Sequence, residues 1–177
     1  MQTTTSSFRA TPLRRTPEAP SLPAMAKLSV DALGALYAGG TPPRLRDLDG
    51  APRGRMLTWV GPLGRDLAFR GVRRFARSSG FPWGGKSFSS ANESQGRGIN
   101  RVIALGEVFP FATHFGPSAI DGKPCLILDY DQPENPWLIR QIHDELRQVG
   151  PGIFLGPAMW KARPAPKLVL YFALEAL

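Results

Sequence analysis

The polar residues best suited to acid–base chemistry lie among strand-like apolar segments in the second half of the sequence. They are Asn100, Arg101, Asp129, Tyr130, Asp131, His143, Asp144, Glu145 and Arg147. In a shared site, an arginine would orient an anionic or carbonyl group, and a carboxylate whose pKa is shifted by burial would move protons. The catalytic candidates on this interpretation are Arg101, Asp129, Glu145 and His143. The alternative is an arginine–carboxylate network that only fixes strand register, and the residue types leave both open.

The histidines add little to this set. His143 directly precedes Asp144, but adjacent residues on a strand point to opposite faces, so sequence neighbours rarely act as a base and its orienting group. As a base, His143 would need a different carboxylate. His114, between Thr113 and Phe115, is interpreted as a packed or rim histidine. Neither histidine shows metal-ligand spacing with a carboxylate, and no metal or cofactor is expected.

The composition restricts the class of protein. Of 177 residues, 19 are glycine and 18 are proline, which argues against an all-helical bundle. Ten phenylalanines and four tryptophans among many turn residues favour a β-rich domain. The single cysteine, Cys125, excludes an internal disulfide framework, and its apolar neighbours predict a core side chain rather than a nucleophile. No apolar run approaches the roughly 18–20 residues of a membrane helix.

Strand patterns dominate the second half of the chain. Apolar runs and alternations bounded by turn residues predict strands at 56–60, 99–105, 107–115, 124–131 and 167–174. The segment 81–88 contains Pro82 followed by two glycines, and is predicted to be an edge, a bend or a bulge rather than a central strand. A polar loop is predicted over residues 89–98.

Helical patterns are short. Residues 29–38 repeat leucines at helical spacing after Ser29, a favourable N-cap. Residues 66–78 predict a basic amphipathic helix. Residues 135–149 fit either a helix or a strand, and the interpretation adopted is a short helix over 136–141 followed by a hairpin of two strands, 142–149 and 153–160.

Charge and polarity define the organisation of the chain. Residues 1–25 are rich in Thr, Ser, Pro and Arg and are predicted to be a disordered tail, with a single domain over 26–177. The formal net charge is +8, and its excess lies between Arg44 and Arg101. The densest basic cluster would allow peripheral contact with an anionic surface: Arg70, Arg73, Arg74 and Arg77. No nucleic-acid motif accompanies it, so nucleic acid is not the expected partner. The missing secretory region and lone cysteine predict a cytoplasmic protein.

Several short segments together carry a family resemblance. They are Leu36–Pro43, Pro82–Phe88, Gly98–Val102, Ser118–Pro124, Leu128–Tyr130, Asp144–Arg147 and Gly152–Gly156. Over about residues 28–174 the chain resembles a bacterial family of small, uncharacterised lipocalin-like proteins of the calycin type. The resemblance implies an antiparallel lipocalin-like β-barrel, or a strongly curved sheet, around an apolar cavity. The expected fold class is therefore mainly β (α+β), with two or three short helices.

A barrel of this kind implies binding of a hydrophobic small molecule. The residues expected to contact the ligand are Trp83, Phe88, Asn100, Tyr130, Asp144, Arg147, Phe154 and Trp160. The alternative is a cyclase, isomerase or lyase that acts on a lipophilic substrate, polyketide- or terpene-like, in the same cavity. The alternative requires Arg101, Asp129 and Glu145 to face the cavity. The sequence leaves the oligomeric state open.

Overall fold

The barrel is the central feature of the fold. The computed structural model describes residues 20–60, 83–103 and 105–177. Within these segments eight strands pair antiparallel in sequence order, and the last pairs with the first to close the barrel. The strands are β1 (Arg53–Trp59), β2 (Trp83–Ser90), β3 (Gln95–Val102), β4 (Gly106–Pro117), β5 (Pro124–Asp129), β6 (Ile142–Gly150), β7 (Ile153–Trp160) and β8 (Lys167–Glu175). The predicted mainly β fold is confirmed.

Short helices precede and interrupt the strands. They are α1 (Leu22–Met25), α2 (Val30–Ala38), a 3-10 helix (Leu45–Leu48) and α3 (Trp137–Arg140). Oγ of Ser29 accepts a hydrogen bond from the backbone N–H of Ala32 at 3.2 Å, as expected of the predicted N-cap.

The first two helices pack on the outer face of β7 and β8. Leu22 and Met25 are buried in this packing, together with Leu33 and Tyr37. The ordered domain therefore begins earlier than the predicted boundary at residue 26, because burial of α1 supplies the apolar contacts that its short sequence lacks by itself. Residues 1–19 lie outside the described part of the chain, so the predicted tail stays a prediction there.

The barrel interior is filled near the β2–β3 hairpin. Strand residues and the 3-10 helix form an apolar core there: Leu45, Leu48, Phe88, Phe111, Leu126, Leu128, Leu146, Phe154 and Leu174. Gly98 makes room for one of these rings, because a Cβ at this position would lie 2.2 Å from Phe111. The opposite end of the barrel, where β2 begins and β3 ends, contains the cavity described below.

A side chain supports the seam between β1 and β2. The described residues of these strands pair only at Arg53 and Gly85, whereas β1 pairs with β8 at six positions. Nη2 of Arg101 on β3 lies within hydrogen-bond distance of backbone carbonyl oxygens on both sides of the seam: Ala51 (2.9 Å), Pro52 (2.5 Å) and Gly84 (3.1 Å). Arg101 thus stabilises barrel closure.

The ambiguous region 135–149 follows the interpretation adopted from the sequence. A short helix, α3, is followed by the β6–β7 hairpin. The predicted loop over 89–98 is wrong, because β2 extends to Ser90 and β3 begins at Gln95. Backbone pairing holds these strands together, and it does not require apolar side chains. The predicted helix over 66–78 lies outside the described residues.

Candidate functional site

An apolar cavity of about 440 Å³ lies inside the barrel beside α3. This volume falls within the range of small-molecule sites, roughly 300–1,000 Å³. Most of its lining is aliphatic or aromatic: Met56, Trp59, Trp83, Val102, Phe109, Leu138, Ile139, Ile142, Ala158, Met159, Trp160, Val169, Leu170 and Phe172. Such walls would hold a lipophilic molecule by removing its surface from water.

A compact polar group interrupts this apolar lining, and we name it the interior cluster: Lys86, Asn100, Tyr130 and Asp144. Nζ of Lys86 lies 3.0 Å from Oδ2 of Asp144 and 2.9 Å from Oδ1 of Asn100, and it also contacts Oη of Tyr130. Oη of Tyr130 donates to Oδ2 of Asp144 at 3.1 Å. Nδ2 of Asn100 donates to Tyr130 Oη at 3.0 Å. These contacts fix the position of each polar group relative to the cavity.

A β-bulge turns Lys86 and Trp83 toward the same cavity. In a regular strand, residues three apart face opposite sides. The register of β2 against β3 shifts between Trp83 and Gly85, and Gly85 has a φ of 114°, which suits glycine. A bulge, one of the alternatives predicted for segment 81–88, is therefore present, but the prediction that this segment is not a central strand is wrong, because β2 lies between β1 and β3 in the barrel.

Phe109 shows a second local distortion at the cavity wall. Its φ of 61° lies in the left-handed region, which is uncommon for an aromatic residue. Nδ2 of Asn100 donates to the Phe109 carbonyl oxygen at 3.2 Å, next to a register shift between β3 and β4. Asn100 thus links the interior cluster to the backbone that presents the Phe109 side chain to the cavity.

Burial determines the electrostatics of the interior cluster. Lys86 is 2% exposed, and its Nζ lies 5.0–5.4 Å from the ring centroids of Trp83, Phe111, Tyr130 and Phe172. Burial lowers the pKa of Lys86, and the Asp144 carboxylate opposes part of this shift. Burial also raises the pKa of Tyr130 well above its ordinary value, so the phenol keeps its proton. The cluster places an amine, a carboxylate and a phenol within proton-transfer distance of each other.

Asp144 retains an unused acceptor. Its Oδ2 receives the contacts from Lys86 and Tyr130, whereas its buried Oδ1 has no hydrogen-bond partner among the described residues. An unsatisfied buried acceptor costs about 1–3 kcal/mol. A ligand hydroxyl that reached Oδ1 would relieve this cost.

A second polar cluster lies outside the barrel, beneath α2. Side chains alternate along β6, so Asp144 faces the interior while His143, Glu145 and Arg147 face outward. Glu145 accepts short hydrogen bonds from Oη of Tyr37, Oγ of Ser118 and the N–H of Ala119, each at 2.6 Å. Its Oε1 lies 3.1 Å from Nε2 of His143. We name these residues, with Arg147 and Asp121, the exterior cluster.

Arg147 joins the β4–β5 connection to α2. Its Nη1 and Nη2 lie 2.8 and 2.7 Å from the two carboxylate oxygens of Asp121. Its remaining N–H groups donate to the backbone carbonyl oxygens of Tyr37, Lys123 and Pro124, at 3.3, 2.9 and 3.0 Å. All five guanidinium donors therefore have protein acceptors, and the side chain is fully buried.

Comparison with known proteins gives one structural neighbour and no family. The crystal structure of a protein from Thermomonospora curvata is similar to this chain with a TM-score of 0.49 and 19% sequence identity. The similarity covers 85% of this chain and 88% of that one. No protein-family model and no curated protein matches the sequence. The observed barrel agrees with the fold that the lipocalin-like resemblance implies, and membership of that family stays a prediction.

The structure brings together some of the predicted ligand-binding residues and separates others. Five of them line the cavity: Trp83, Asn100, Tyr130, Asp144 and Trp160. Phe88 and Phe154 belong instead to the filled core, because they lie nearer the β2–β3 hairpin. Arg147 lies three residues from Asp144 along β6, so its side chain faces the opposite side of the strand. It therefore belongs to the exterior cluster.

The predicted catalytic set is not assembled in the cavity. Arg101 supports the β1–β2 seam, and Glu145 and His143 pair with each other in the exterior cluster. Asp129 forms a half-exposed pair with Lys161 at 3.4 Å. Lys86 was missed, since the segment that holds it was not interpreted as a regular strand. The available signal was its spacing of two from Phe88, which places both side chains on one face.

Three further features of the described residues bear on function. No group of three or more His, Cys, Asp or Glu side chains among them could hold a metal ion. None of the helices in residues 20–60, 83–103 and 105–177 has the length and apolar character needed to cross a bilayer. Burial raises the pKa of Cys125 to about 12, so this thiol is a poor nucleophile.

Acid should destabilise the fold through the exterior cluster. The hydrogen bond from Arg147 lowers the pKa of Asp121 to about 2. Burial alone would raise the pKa of Glu145, but hydrogen bonds from His143, Ser118, Tyr37 and Ala119 together hold it below its ordinary value. A carboxyl group with a lowered folded-state pKa stabilises the fold above its unfolded pKa, and this stabilisation is lost as the pH falls.

The free energy of unfolding should therefore fall as the pH drops from about 4.5, the ordinary pKa of Glu145, toward 2, the folded-state pKa of Asp121. Urea denaturation across this range measures the effect. Glu145→Gln should flatten the pH dependence, whereas Glu134→Gln, at an exposed position, should leave it unchanged. An equal slope in Glu145→Gln and the unmodified protein would contradict the assignment.

Proposed function

We propose that this protein binds a lipophilic small molecule inside the barrel, with one polar group of the ligand against the interior cluster. The observation that carries the proposal is the apolar cavity of about 440 Å³ with its single polar region among the described lining residues. Apolar walls supply affinity, and a few fixed polar groups orient the ligand. The closed barrel is a fold compatible with this role.

The interior cluster favours a neutral polar group over a carboxylate. Lys86 is already paired with Asp144 at 3.0 Å, so the cluster offers no uncompensated positive charge. A ligand carboxylate would meet the Asp144 carboxylate in a buried site, where like charges repel strongly. The donors of Lys86 and Asn100 are already used within the described residues, so the open position is the Oδ1 acceptor of Asp144, to which a ligand hydroxyl would donate.

Tryptophan fluorescence provides the test. Trp59, Trp83 and Trp160 line the cavity, whereas Trp137 is 66% exposed. Titration with 1-decanol should change the emission in a saturable manner, and decanoate should bind more weakly than the alcohol. No saturable change with any neutral lipophile of this size would contradict the proposal.

Filling the cavity should remove binding. Ala158→Phe adds a ring to the cavity wall and should weaken decanol binding by about tenfold or more, equivalent to about 1.4 kcal/mol. Ala112→Phe is the matched control, because Ala112 follows the inward-facing Phe111 and so faces outward. The control should bind decanol as the unmodified protein does. Equal weakening in both variants would indicate a general structural effect and contradict the cavity as the binding site.

An enzyme of the cyclase, isomerase or lyase class is the second candidate, with residues other than the predicted Arg101, Asp129 and Glu145, which lie away from the cavity. The observation in its favour is the buried Lys86–Asp144 pair with Tyr130 at the cavity. Asp144 would act as base toward a carbon next to a carbonyl, while Tyr130 or Lys86 donates to the carbonyl oxygen.

Deuterium exchange tests this second candidate. The protein in D₂O should speed exchange next to the carbonyl of 2-decanone, measured by mass spectrometry, and Asp144→Asn should slow it. Glu145→Gln should retain the rate, since Glu145 lies outside the barrel. Exchange at the buffer rate with bound ketone would contradict an acid–base role.

A further inference from the structure

We propose that Lys86 forms a covalent imine with a lipophilic aldehyde held in the barrel cavity. The inference rests on the proposed binding function and names the ligand class and the bond. Lys86 lines an apolar cavity and is 2% exposed, and Asp144, Tyr130 and Asn100 contact its amine. Desolvated lysines in apolar pockets are the ones that act as nucleophiles toward carbonyl carbon.

Asp144 supplies the proton transfers that this reaction needs. It first takes a proton from the Lys86 ammonium, 3.0 Å away, and leaves a neutral amine. The amine nitrogen forms a bond to the aldehyde carbon, and the carbonyl oxygen takes the proton from Asp144. Asp144 then removes a second proton from nitrogen and delivers it to the new hydroxyl, which leaves as water while the C=N bond forms. An ammonium and an aldehyde give an iminium and water, with no change in charge or oxidation state.

The surroundings of Lys86 suit the iminium product. The Asp144 carboxylate remains as its counter-charge. Nζ lies over the rings of Trp83, Phe111, Tyr130 and Phe172, 5.0–5.4 Å from their centroids, where the aromatic faces attract a cation. Apart from the interior cluster, the cavity wall around this product is apolar.

The small number of lysines makes a reaction at Lys86 easy to distinguish from random modification of other amines. The sequence contains five lysines, and the four others are Lys27, Lys123, Lys161 and Lys167. Lys161 pairs with Asp129 at a half-exposed position, and Lys123 contacts the Ala38 carbonyl oxygen at an exposed one. These amines and the N-terminus serve as internal controls within one molecule.

Reductive trapping tests the proposal on the full chain. The protein is incubated with decanal and sodium cyanoborohydride, and the decyl adduct is located by peptide mapping. Lys86 should be modified faster than the other lysines by about tenfold or more, because the cavity concentrates and orients the aldehyde. Excess 1-decanol should protect Lys86, Ala158→Phe should slow its modification, and Ala112→Phe should not.

The outcomes separate the covalent proposal from the binding proposal. Saturable binding of decanol and decanal with adducts only at surface amines would overturn the imine and leave the binding function intact. An adduct at Lys86 that neither decanol nor Ala158→Phe reduces would also overturn it, since the reaction would not depend on the cavity. Failure of both probes to change tryptophan emission, with no adduct at Lys86, would overturn the proposed function itself.

Discussion

Replacing Lys86 with methionine should lower the free energy of unfolding by about 3–5 kcal/mol, since it leaves a buried carboxylate without its cation. Lys86 and Asp144 are 2% and 4% exposed, and their charged groups lie 3.0 Å apart. Asn100 and Tyr130 would also lose a donor that each contacts. Urea denaturation of Lys86→Met against the unmodified protein measures the loss.

A surface pair supplies the control for this prediction. Lys161 lies 3.4 Å from Asp129, and the two side chains are 35% and 36% exposed. Because solvent screens such pairs, Lys161→Met should cost no more than about 1 kcal/mol. The double variant Lys86→Met with Asp144→Leu should be more stable than Lys86→Met alone, because it removes the unpaired charge as well. If Lys86→Met and Lys161→Met lower the free energy of unfolding equally, the buried ion pair does not exist in solution.

Replacing Arg147 with methionine should destabilise the fold by about 2–4 kcal/mol without changing ligand affinity, because several buried carbonyl oxygens lose their donor. The guanidinium bonds both oxygens of Asp121 and three backbone carbonyl groups. Its Cζ also lies 4.4 Å from the ring centroid of Tyr37. Denaturation measures the stability, and decanol titration of the folded variant measures the affinity.

Arg147→Lys separates charge from geometry in this role. A lysine keeps the positive charge but cannot bond both oxygens of Asp121 in the same planar arrangement. The free energy of unfolding of Arg147→Lys should therefore lie between those of Arg147→Met and the unmodified protein. The pKa of Asp121 should rise toward its ordinary value of 3.8 in Arg147→Met, which NMR titration detects. Weaker decanol binding with unchanged stability would instead support the ligand-binding role that the sequence suggested for Arg147.

The sequence pattern was sufficient for most of the strands and for part of the cavity, whereas the barrel was expected from the family resemblance. Strand periodicity, together with the Gly150–Gly152 turn, located the β6–β7 hairpin correctly. Tyr130 and Asp144 were candidate ligand residues because they interrupt apolar strands, and both line the cavity. Periodicity, turn residues and polar interruptions of apolar strands are local patterns, so a single sequence is enough to predict these features.

Other residues of the site depend on information that local pattern lacks. Alternation shows that Asp144 and Glu145 face opposite sides, but it does not show which side is the interior. Both faces of β6 are buried, since α2 and the β4–β5 connection cover the outer one, so polarity could not distinguish them. Lys86 was missed because its segment was not interpreted as a regular strand, and the bulge at Gly85 conceals that Trp83 and Lys86 share a face.

The most direct test of the central claim is to locate a ligand inside the barrel. Crystals of the full chain grown with a bromine-labelled decanol would show the bromine by its anomalous scattering. One bromine is expected inside the cavity, against the wall formed by Met56, Trp59 and Leu170, with the hydroxyl toward Asp144. Bromine found only on the outer surface, with the cavity free of it, would contradict the claim that this cavity is the binding site.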